Sequence, residues 1–215
     1  MQNAARKEDR EKELNSLLQG KHVKLWPYFR GYYDRDILYR LWSLIEKEKA
    51  THFIFHGFEF QSDDSPVSTD GDLVDFIHYF EPISGHKTLL IVQDASRDEI
   101  AGFTWFEGIT PGFRASAGIF MRRKYWGNHA LEATQLSLKY IFQLHGLEFV
   151  YAITPWASVA KYAQRAGFKP VAQLKGFIKI QQAYRDIYIL KITEDQIFHS
   201  SARAESRLST RTLKE

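Results

Sequence analysis

Apolar positions recur along the chain with two different spacings, which separate predicted helices from predicted strands. Between Asp34 and Glu48, and again from Asp70 to Phe80, apolar side chains return every three to four residues, as they do on one face of an α-helix. The run KHVKLWPY, residues 21–28, predicts a first strand before them. The first part of the chain is therefore predicted to have the order strand, helix, loop, helix.

The second half of the chain has a clearer pattern. Two helices are predicted there: a long one from Asn128 to about Leu144, which Gly146 ends with a left-handed cap, and a short one from Ser158 to Ala166. Apolar runs predict strands around them, with the sequences TLLIVQD, IAGFTWFEG, RASAGIFM, LEFVYAIT, FKPVAQL and YRDIYILKI. This succession predicts an α/β protein with a mixed sheet, in which a parallel pair of strands flanks the long helix.

Composition narrows the chemistry. The 215 residues are 44% hydrophobic, and none is cysteine, which excludes thiol nucleophiles, thiolate-bound zinc and iron–sulfur clusters. No apolar run approaches the ~20 residues that span a bilayer, and the first residues lack the apolar segment of a signal peptide. We therefore expect a cytoplasmic protein with no membrane contact. The net charge of +3 is too small to indicate a nucleic-acid partner.

Charge and apolar content divide the chain into three parts. Residues 1–20 are mostly charged and predict a solvated N-terminal arm or helix, with a partner-binding helix as the alternative. Residues 21–196 carry the predicted strands and form one domain. Residues 197–215 contain few apolar side chains and predict a flexible basic tail. A protein partner could bind through the arm or the tail.

The most informative segment is GIFMRRKYWGNHALEA, residues 118–133, in which an apolar strand leads through basic residues and a glycine into a helix. The first amides of a helix lack intrahelical acceptors and carry partial positive charge, and Gly127 allows an anion to approach closely. Arg122, Arg123 and Lys124 add formal charge beside them. These features fit a pyrophosphate, but they also fit an ordinary strand-to-helix turn with three solvated basic residues.

Motifs in this half of the chain resemble those of the GNAT superfamily of acetyl-CoA-dependent N-acyltransferases. GIFMRRKYWGN resembles the superfamily's central strand and pyrophosphate loop, and its Tyr-Trp-Gly matches the branch that contains the ribosomal-protein N-terminal acetyltransferases. LEFVYAITPW is similar to the next strand, YAQRAGFKPVAQL to the short helix that ends in Gly-Phe, and YRDIYILKI to the closing strand. The resemblance covers residues 88–192 well, and residues 22–87 only in the order of elements.

The resemblance implies a mixed α/β fold: a mostly antiparallel sheet with one splayed pair of parallel strands and flanking helices. Acetyl-CoA would bind in the V between these strands as a co-substrate, without a metal. A primary amine of a small molecule or of a protein N-terminus would attack its thioester directly. The residues implied to contact the cofactor are Ile119, Phe120, Met121, Arg122, Lys124, Trp126, Gly127, Asn128, His129 and Trp156.

Some positions depart from the superfamily's pattern. Lys124 and His129 stand at the first and third positions of the phosphate loop, and Trp156 replaces the usual asparagine after the next strand. The tyrosine that often protonates the leaving thiolate is absent at Ala163, and Tyr162, one residue earlier, is the candidate for this role. These differences leave a second hypothesis open, in which the chain has the same fold without catalysis and serves a structural or protein-binding role in a larger assembly.

A general base is harder to identify. Glu107 ends the strand before the central one and is the candidate, although a surface carboxylate there would need no function. Glu59, at the end of an aromatic run, is a weaker candidate. His52 and His56 have the spacing of helical metal ligands, but the phenylalanines around them favour a strand or an aromatic core, so no metal site is expected. The acidic stretch at residues 63–72 is predicted to be a solvated loop.

Overall fold

The computed structural model of the chain describes residues 14–28, 35–50, 73–80, 87–180 and 183–198. These residues form a seven-stranded sheet with strands β1 Val23–Tyr28, β2 Thr88–Asp94, β3 Ile100–Thr110, β4 Arg114–Met121, β5 Phe149–Thr154, β6 Lys169–Ile180 and β7 Ala183–Thr193. The sheet is accompanied by the helices α1 Arg35–Lys47, α2 Leu73–Phe80, α3 Asn128–His145 and α4 Ala157–Arg165. None of the described helices is long and apolar enough to span a bilayer.

The strand order is β1-β2-β3-β4-β5-β7-β6, and the neighbouring strands described are antiparallel except for β4 and β5. Helix α3 joins β4 to β5, because parallel neighbours need a long crossover connection. The architecture confirms the predicted class: a mixed, mostly antiparallel sheet with a splayed parallel pair and flanking helices. The apolar runs that predicted strands all form strands, and β6 and β7 extend further than predicted.

Two apolar layers cover the sheet, one on each face, because successive residues of a strand point to opposite sides. On β3, Phe106 packs in the layer that contains α3, and the hydroxyl oxygens of Thr104 and Ser137 lie 2.8 Å apart in a buried hydrogen bond. Phe103 and Trp105 point the other way, into a layer formed with α1 and α2. The sheet therefore has an α3 face and an α1–α2 face.

Helix α3 ends where the sequence predicted. Gly146 has φ 62° and ψ 39°, the left-handed conformation that suits glycine, and its N–H donates to the carbonyl of Phe142 at 2.7 Å. The chain then turns directly into β5. This cap sets where β5 begins, and hence where it meets β4.

The start of β1 and the two residues before it are tied to α3 by one carboxylate. Glu132 accepts hydrogen bonds from the amides of Lys21, His22 and Val23, at 2.8, 2.6 and 3.1 Å. Leu18, just upstream, is buried in the layer on the α3 face. The last residues of the predicted arm thus contact the domain. Residues 1–13 and 199–215 lie outside the described residues, and the arm and the tail stay predictions.

Gly118 is required by the packing of one indole ring. On β4 it lies opposite Trp105 of β3, and a Cβ at this position would stand 2.1 Å from the Cζ2 atom of Trp105. The indole also contacts the rings of Phe80 and Phe103, so it cannot move aside freely. We expect Gly118→Ala to lower the free energy of unfolding by about 1–3 kcal/mol, the usual cost of overpacking a core.

Urea denaturation measures this difference. The control is Ser116→Ala, on the same strand and the same face, which should change the free energy of unfolding by less than about 0.5 kcal/mol. A Gly118→Ala variant as stable as the wild type would show that the indole can yield, which would contradict the packing argument.

Candidate active site

Strands β4 and β5 pair over a short stretch and then separate. The pairs run from Arg114–Phe149 to Ser116–Tyr151, and beyond the last of them no ladder pair joins the two strands. Both strands continue past this point, so a V-shaped gap opens between them. A cavity of about 490 Å³ occupies the gap.

The cavity is lined mainly by apolar side chains. Its walls include the end of β4, the first turns of α3, the end of β5 and the helix α4, which contribute Ile119, Met121, Ala130, Thr134, Ile153 and Tyr162 among others. Residues 104–106 of β3 and Glu48, just after α1, also line it. The volume lies within the ~300–1,000 Å³ that is usual for small-molecule sites. The lining also contains hydroxyl groups, so a long and mostly apolar ligand with a few polar groups would suit the space.

The first turn of α3 stands at one end of this cavity. Gly127, the N-cap, has φ 85° and ψ −123°, a conformation that favours glycine, and a Cβ there would meet no atom within 4 Å. No side chain caps the helix, and Gly127 and Asn128 are exposed. The open amides of a helix N-terminus and its dipole favour negative charge. This end of the cavity therefore suits an anion.

Two basic residues that were predicted to contact the cofactor are paired with acidic side chains instead. Arg122 donates to the Ile100 carbonyl at 2.9 Å and lies 3.5 Å from Glu99 and 3.8 Å from Glu48. Lys124 donates to Glu99, a hydrogen bond that raises the pKa of Lys124. Neither residue lines the cavity. Their charges are paired on the turn between β4 and α3.

Two other arginines line the cavity instead. Arg123 lies in the short 3-10 turn Arg123–Tyr125 after β4, Arg165 ends α4, and both are exposed. The sequence does not indicate which of the three neighbouring basic residues lines the cavity. That depends on the 3-10 turn, which directs their side chains to different sides. Arg165 does have a signal: it stands three residues after Tyr162, and residues at this spacing share a helix face.

His129 points away from the cavity, toward the end of β2. Its Nε2 atom lies 3.9 Å from Oδ2 of Asp94, and its ring centroid lies 5.1 Å from that of His22. The imidazole therefore does not line the cavity or crowd Gly127. If His129 contributes to anion binding, it does so through its backbone amide in the first turn of α3.

Asp94 carries a buried negative charge behind this turn. Its Oδ1 atom accepts hydrogen bonds from the amide and the hydroxyl of Ser96, each at 2.7 Å, and from the amide of Arg97 at 3.2 Å. These hydrogen bonds, those from Ser96 foremost, lower the pKa of Asp94 to about 2. The carboxylate thus stabilises the turn between β2 and β3. Its other oxygen faces His129.

Tyr162 of α4 reaches the cavity from the α3 face. Its hydroxyl donates to the carbonyl of Ala130 at 2.7 Å and lies 2.6 Å from the hydroxyl of Thr134. Burial raises the pKa of Tyr162 to about 12, so the phenol keeps its proton at neutral pH. Tyr162 and its neighbour Ala163 both line the cavity, so the offset of one residue does not turn the phenol away.

Two tryptophans border the cavity without filling it. Trp126 is 66% exposed, and its indole N–H donates to the Met121 carbonyl at 2.9 Å. Trp156 is the N-cap of α4, and the Arg185 guanidinium lies 4.6 Å from the centre of its ring. Both indoles line the cavity. A tryptophan in place of the usual asparagine therefore leaves the gap open.

Glu107, the remaining candidate among the described residues, does not line the cavity. Glu107 is on the α1–α2 face of β3, where the Tyr79 hydroxyl donates to its carboxylate. Glu59, His52 and His56 lie outside the described residues, as does the acidic stretch between α1 and α2. Among the residues that are described, no group of three His, Asp or Glu side chains could hold a metal ion.

No protein-family model matches the sequence, and no curated protein matches it. Solved structures with a similar fold do match. A probable acetyltransferase of the GNAT family from Chromobacterium violaceum has a TM-score of 0.60 at 18% identity, covering 83% of this chain and 86% of that one. Spermidine N-acetyltransferase from Vibrio cholerae, solved with CoA and spermine, has a TM-score of 0.64 at 14% identity, covering 83% and 99%.

A GNAT-family acetyltransferase from Bacillus anthracis is similar to the same degree, with a TM-score of 0.62 at 15% identity, covering 83% of this chain and 98% of its own. Likeness at these identities shows the fold, which is the one that the sequence motifs predicted: that of GNAT acetyltransferases. These structures give no support to the narrower prediction of the ribosomal-protein N-terminal acetyltransferase branch.

Lowering the pH should lower the free energy of unfolding, because the Asp94 carboxylate becomes protonated. A carboxyl group with a folded-state pKa of about 2 and an ordinary value of 3.8 stabilises the fold by about 2 kcal/mol above pH ~4. It loses this contribution as the pH falls toward 2. We expect Asp94→Asn to be less stable than the wild type near neutral pH, by an amount that shrinks between about pH 4 and about pH 2. Urea denaturation near pH 6 and near pH 3 measures the shrinkage, and a difference independent of pH would contradict the assignment.

Proposed function

We propose that the chain is an N-acetyltransferase that moves an acetyl group from acetyl-CoA to a primary amine of a small molecule or of a protein N-terminus. The observation that carries the proposal is the open cavity between β4 and β5 with the first turn of α3 at its end. The fold agrees with it, since a structure with this fold was solved with CoA. The sequence Tyr125-Trp126-Gly127 is the basis for a narrower proposal, a protein N-terminus as the acceptor.

The residues around the cavity fit the cofactor. Beyond Ser116 the edge of β4 toward β5 is without a strand partner, so its N–H and C=O groups can bond the amides of a pantetheine chain as a neighbouring strand would. The amides of Gly127 and Asn128 would hold the pyrophosphate. Arg123 and Arg165 would supply the positive charge that Arg122 and Lys124 were predicted to supply.

The reaction needs a proton acceptor for the amine and a proton donor for the departing thiolate, and it needs no covalent intermediate on the protein. Acetyl-CoA, when bound, supplies the activated acetyl group. A buried phenol that keeps its proton at neutral pH, as Tyr162 does, is a suitable donor. Backbone N–H groups near Met121 would polarise the thioester carbonyl. The rest of the rate gain would come from holding the two reactants in place.

Gly127→Glu tests the cofactor site. The new carboxylate would stand in open space beside the first amides of α3 and repel the pyrophosphate. We expect the affinity for acetyl-CoA in a calorimetric titration to fall roughly 100-fold or more, which is ~2.7 kcal/mol of binding free energy. Gly112→Glu is the matched control, because Gly112 also has a positive φ, 74°, and open space for a Cβ but does not line the cavity. Equal affinity in both variants would contradict the site.

Tyr162→Phe tests the proton donor. We expect kcat to fall ~100-fold with little change in the KM for acetyl-CoA, because the hydroxyl acts on the leaving group. CoA release with n-butylamine, and with a short peptide that has a free N-terminus, measures both constants. Tyr140→Phe removes the hydroxyl of a buried tyrosine on α3 that does not line the cavity, and it serves as the control. An unaltered kcat would remove Tyr162 from the mechanism.

The same measurements decide between the two hypotheses of the sequence analysis. An acetyl-CoA complex that forms without transfer to any amine would favour the structural or protein-binding role. Transfer to either amine would favour the enzyme.

A further inference from the structure

Four side chains meet on the α1–α2 face of the sheet and form what we call the Tyr79 cluster: Tyr79, Lys87, Trp105 and Glu107. The Tyr79 hydroxyl donates to Oε2 of Glu107, and the buried Trp105 indole lies on the same face of β3 as Glu107. The Lys87 ammonium donates to the Tyr79 carbonyl at 2.7 Å and lies 3.7 Å from the centre of the Tyr79 ring. These contacts hold the phenol and the carboxylate in one arrangement.

The register of the sheet places the Tyr79 cluster beside the closed end of the gap. Glu107 on β3 lies opposite Ser116 on β4, and Ser116 lies opposite Tyr151 in the last pair before β4 and β5 separate. Trp105 shares a face of β3 with Glu107 and lines the cavity. Glu107 therefore lies across β4 from the closed end of the gap, on the α1–α2 face.

The two carboxylate oxygens of Glu107 have different surroundings. Oε2 accepts the Tyr79 hydroxyl, whereas no donor among the described residues reaches Oε1. Burial, followed by the nearby charge of Glu107, raises the pKa of Tyr79, so the phenol remains a donor at physiological pH. The carboxylate is thus oriented through Oε2.

We infer that Tyr79 is a positioning residue, which holds Oε2 of Glu107 and so presents Oε1 to the acceptor amine at the closed end of the gap. The inference rests on the proposed function and adds where the acceptor amine binds and which group takes its proton. The amine arrives on the α1–α2 face, opposite the α3 face from which Tyr162 reaches the cavity. Base and acid thus stand on opposite faces of the sheet.

The protons and bonds balance in this arrangement. The amine nitrogen forms a C–N bond with the acetyl carbonyl carbon, and the C–S bond breaks. The proton that the nitrogen loses passes to Oε1 of Glu107 and then to water. The sulfur takes the hydroxyl proton of Tyr162, which water restores. Tyr79 exchanges no proton in these steps, and its hydroxyl stays bonded to Oε2 throughout.

The test compares Tyr79→Phe, Glu107→Gln and the double variant in acetyl transfer to n-butylamine and to a short peptide with a free N-terminus. Tyr79→Phe removes only an oxygen and keeps the ring, which packs on Phe80 and under the Lys87 ammonium. We expect kcat to fall about tenfold in Tyr79→Phe and ~100-fold in Glu107→Gln, with the KM for acetyl-CoA unchanged. The double variant should be no slower than Glu107→Gln, because the hydroxyl acts only through the carboxylate.

Tyr39→Phe is the matched control, since Tyr39 is an exposed tyrosine on the neighbouring helix α1, and it should retain the wild-type kcat. An equal loss of kcat from Tyr79→Phe in the wild type and in the Glu107→Gln background would overturn the inference. So would a Tyr79→Phe variant that loses thermal stability and keeps its kcat, because the hydroxyl would then be purely structural.

The failure of the inference is distinguishable from that of the proposed function. A wild-type protein that acetylates neither acceptor defeats the proposed function, and the inference falls with it. A wild-type protein that acetylates one of them, beside a Tyr79→Phe variant with the same kcat, defeats the inference alone and leaves the proposed function standing.

Discussion

The end of pairing between β4 and β5 after Ser116 and Tyr151 is the constraint on which the rest of the structure depends. Two strands that stay paired leave no room between them, whereas two strands that separate expose backbone groups and apolar faces that must be covered or given to a ligand. Helices α3 and α4 cover the gap on one face of the sheet, and their side chains line that side of the cavity. The gap can persist in a stable fold because these helices bridge it.

A small number of hydrogen bonds holds this bridge in place. The Tyr162 hydroxyl of α4 bonds the Ala130 carbonyl of α3, so the two helices are joined across the open end of the strands. The buried pair of Thr104 and Ser137 ties α3 to the sheet, and Glu132 ties it to the chain before β1. The first turn of α3 is therefore held from several sides. Amides that are fixed in this way can meet an anion without reorganising, which is what an effective binding site requires.

Charge is distributed unevenly around the cavity. The helix N-terminus, the exposed Arg123 and Arg165 and the carboxylate of Glu48 stand along its lining, and the carboxylate of Glu107 lies near its closed end on the α1–α2 face. Arg122 and Lys124, which share the acidic partner Glu99, stabilise the turn that precedes α3. Positive charge beside the first turn of α3 suits an anionic cofactor, and the carboxylates near the gap suit a basic amine.

The sequence by itself determined the described elements, their order and the Gly146 cap, because apolar spacing and cap chemistry act over a few neighbouring residues. It also determined that Gly127 opens a helix after a strand. Only the tertiary structure decided that Arg122 turns to Glu99 and that Glu107 meets Tyr79, a residue 28 positions away. Such contacts depend on strand register and on the packing of distant elements, which no local pattern encodes. The motifs therefore indicated where along the chain the candidate site lies. Which side chains line it depends on the tertiary structure.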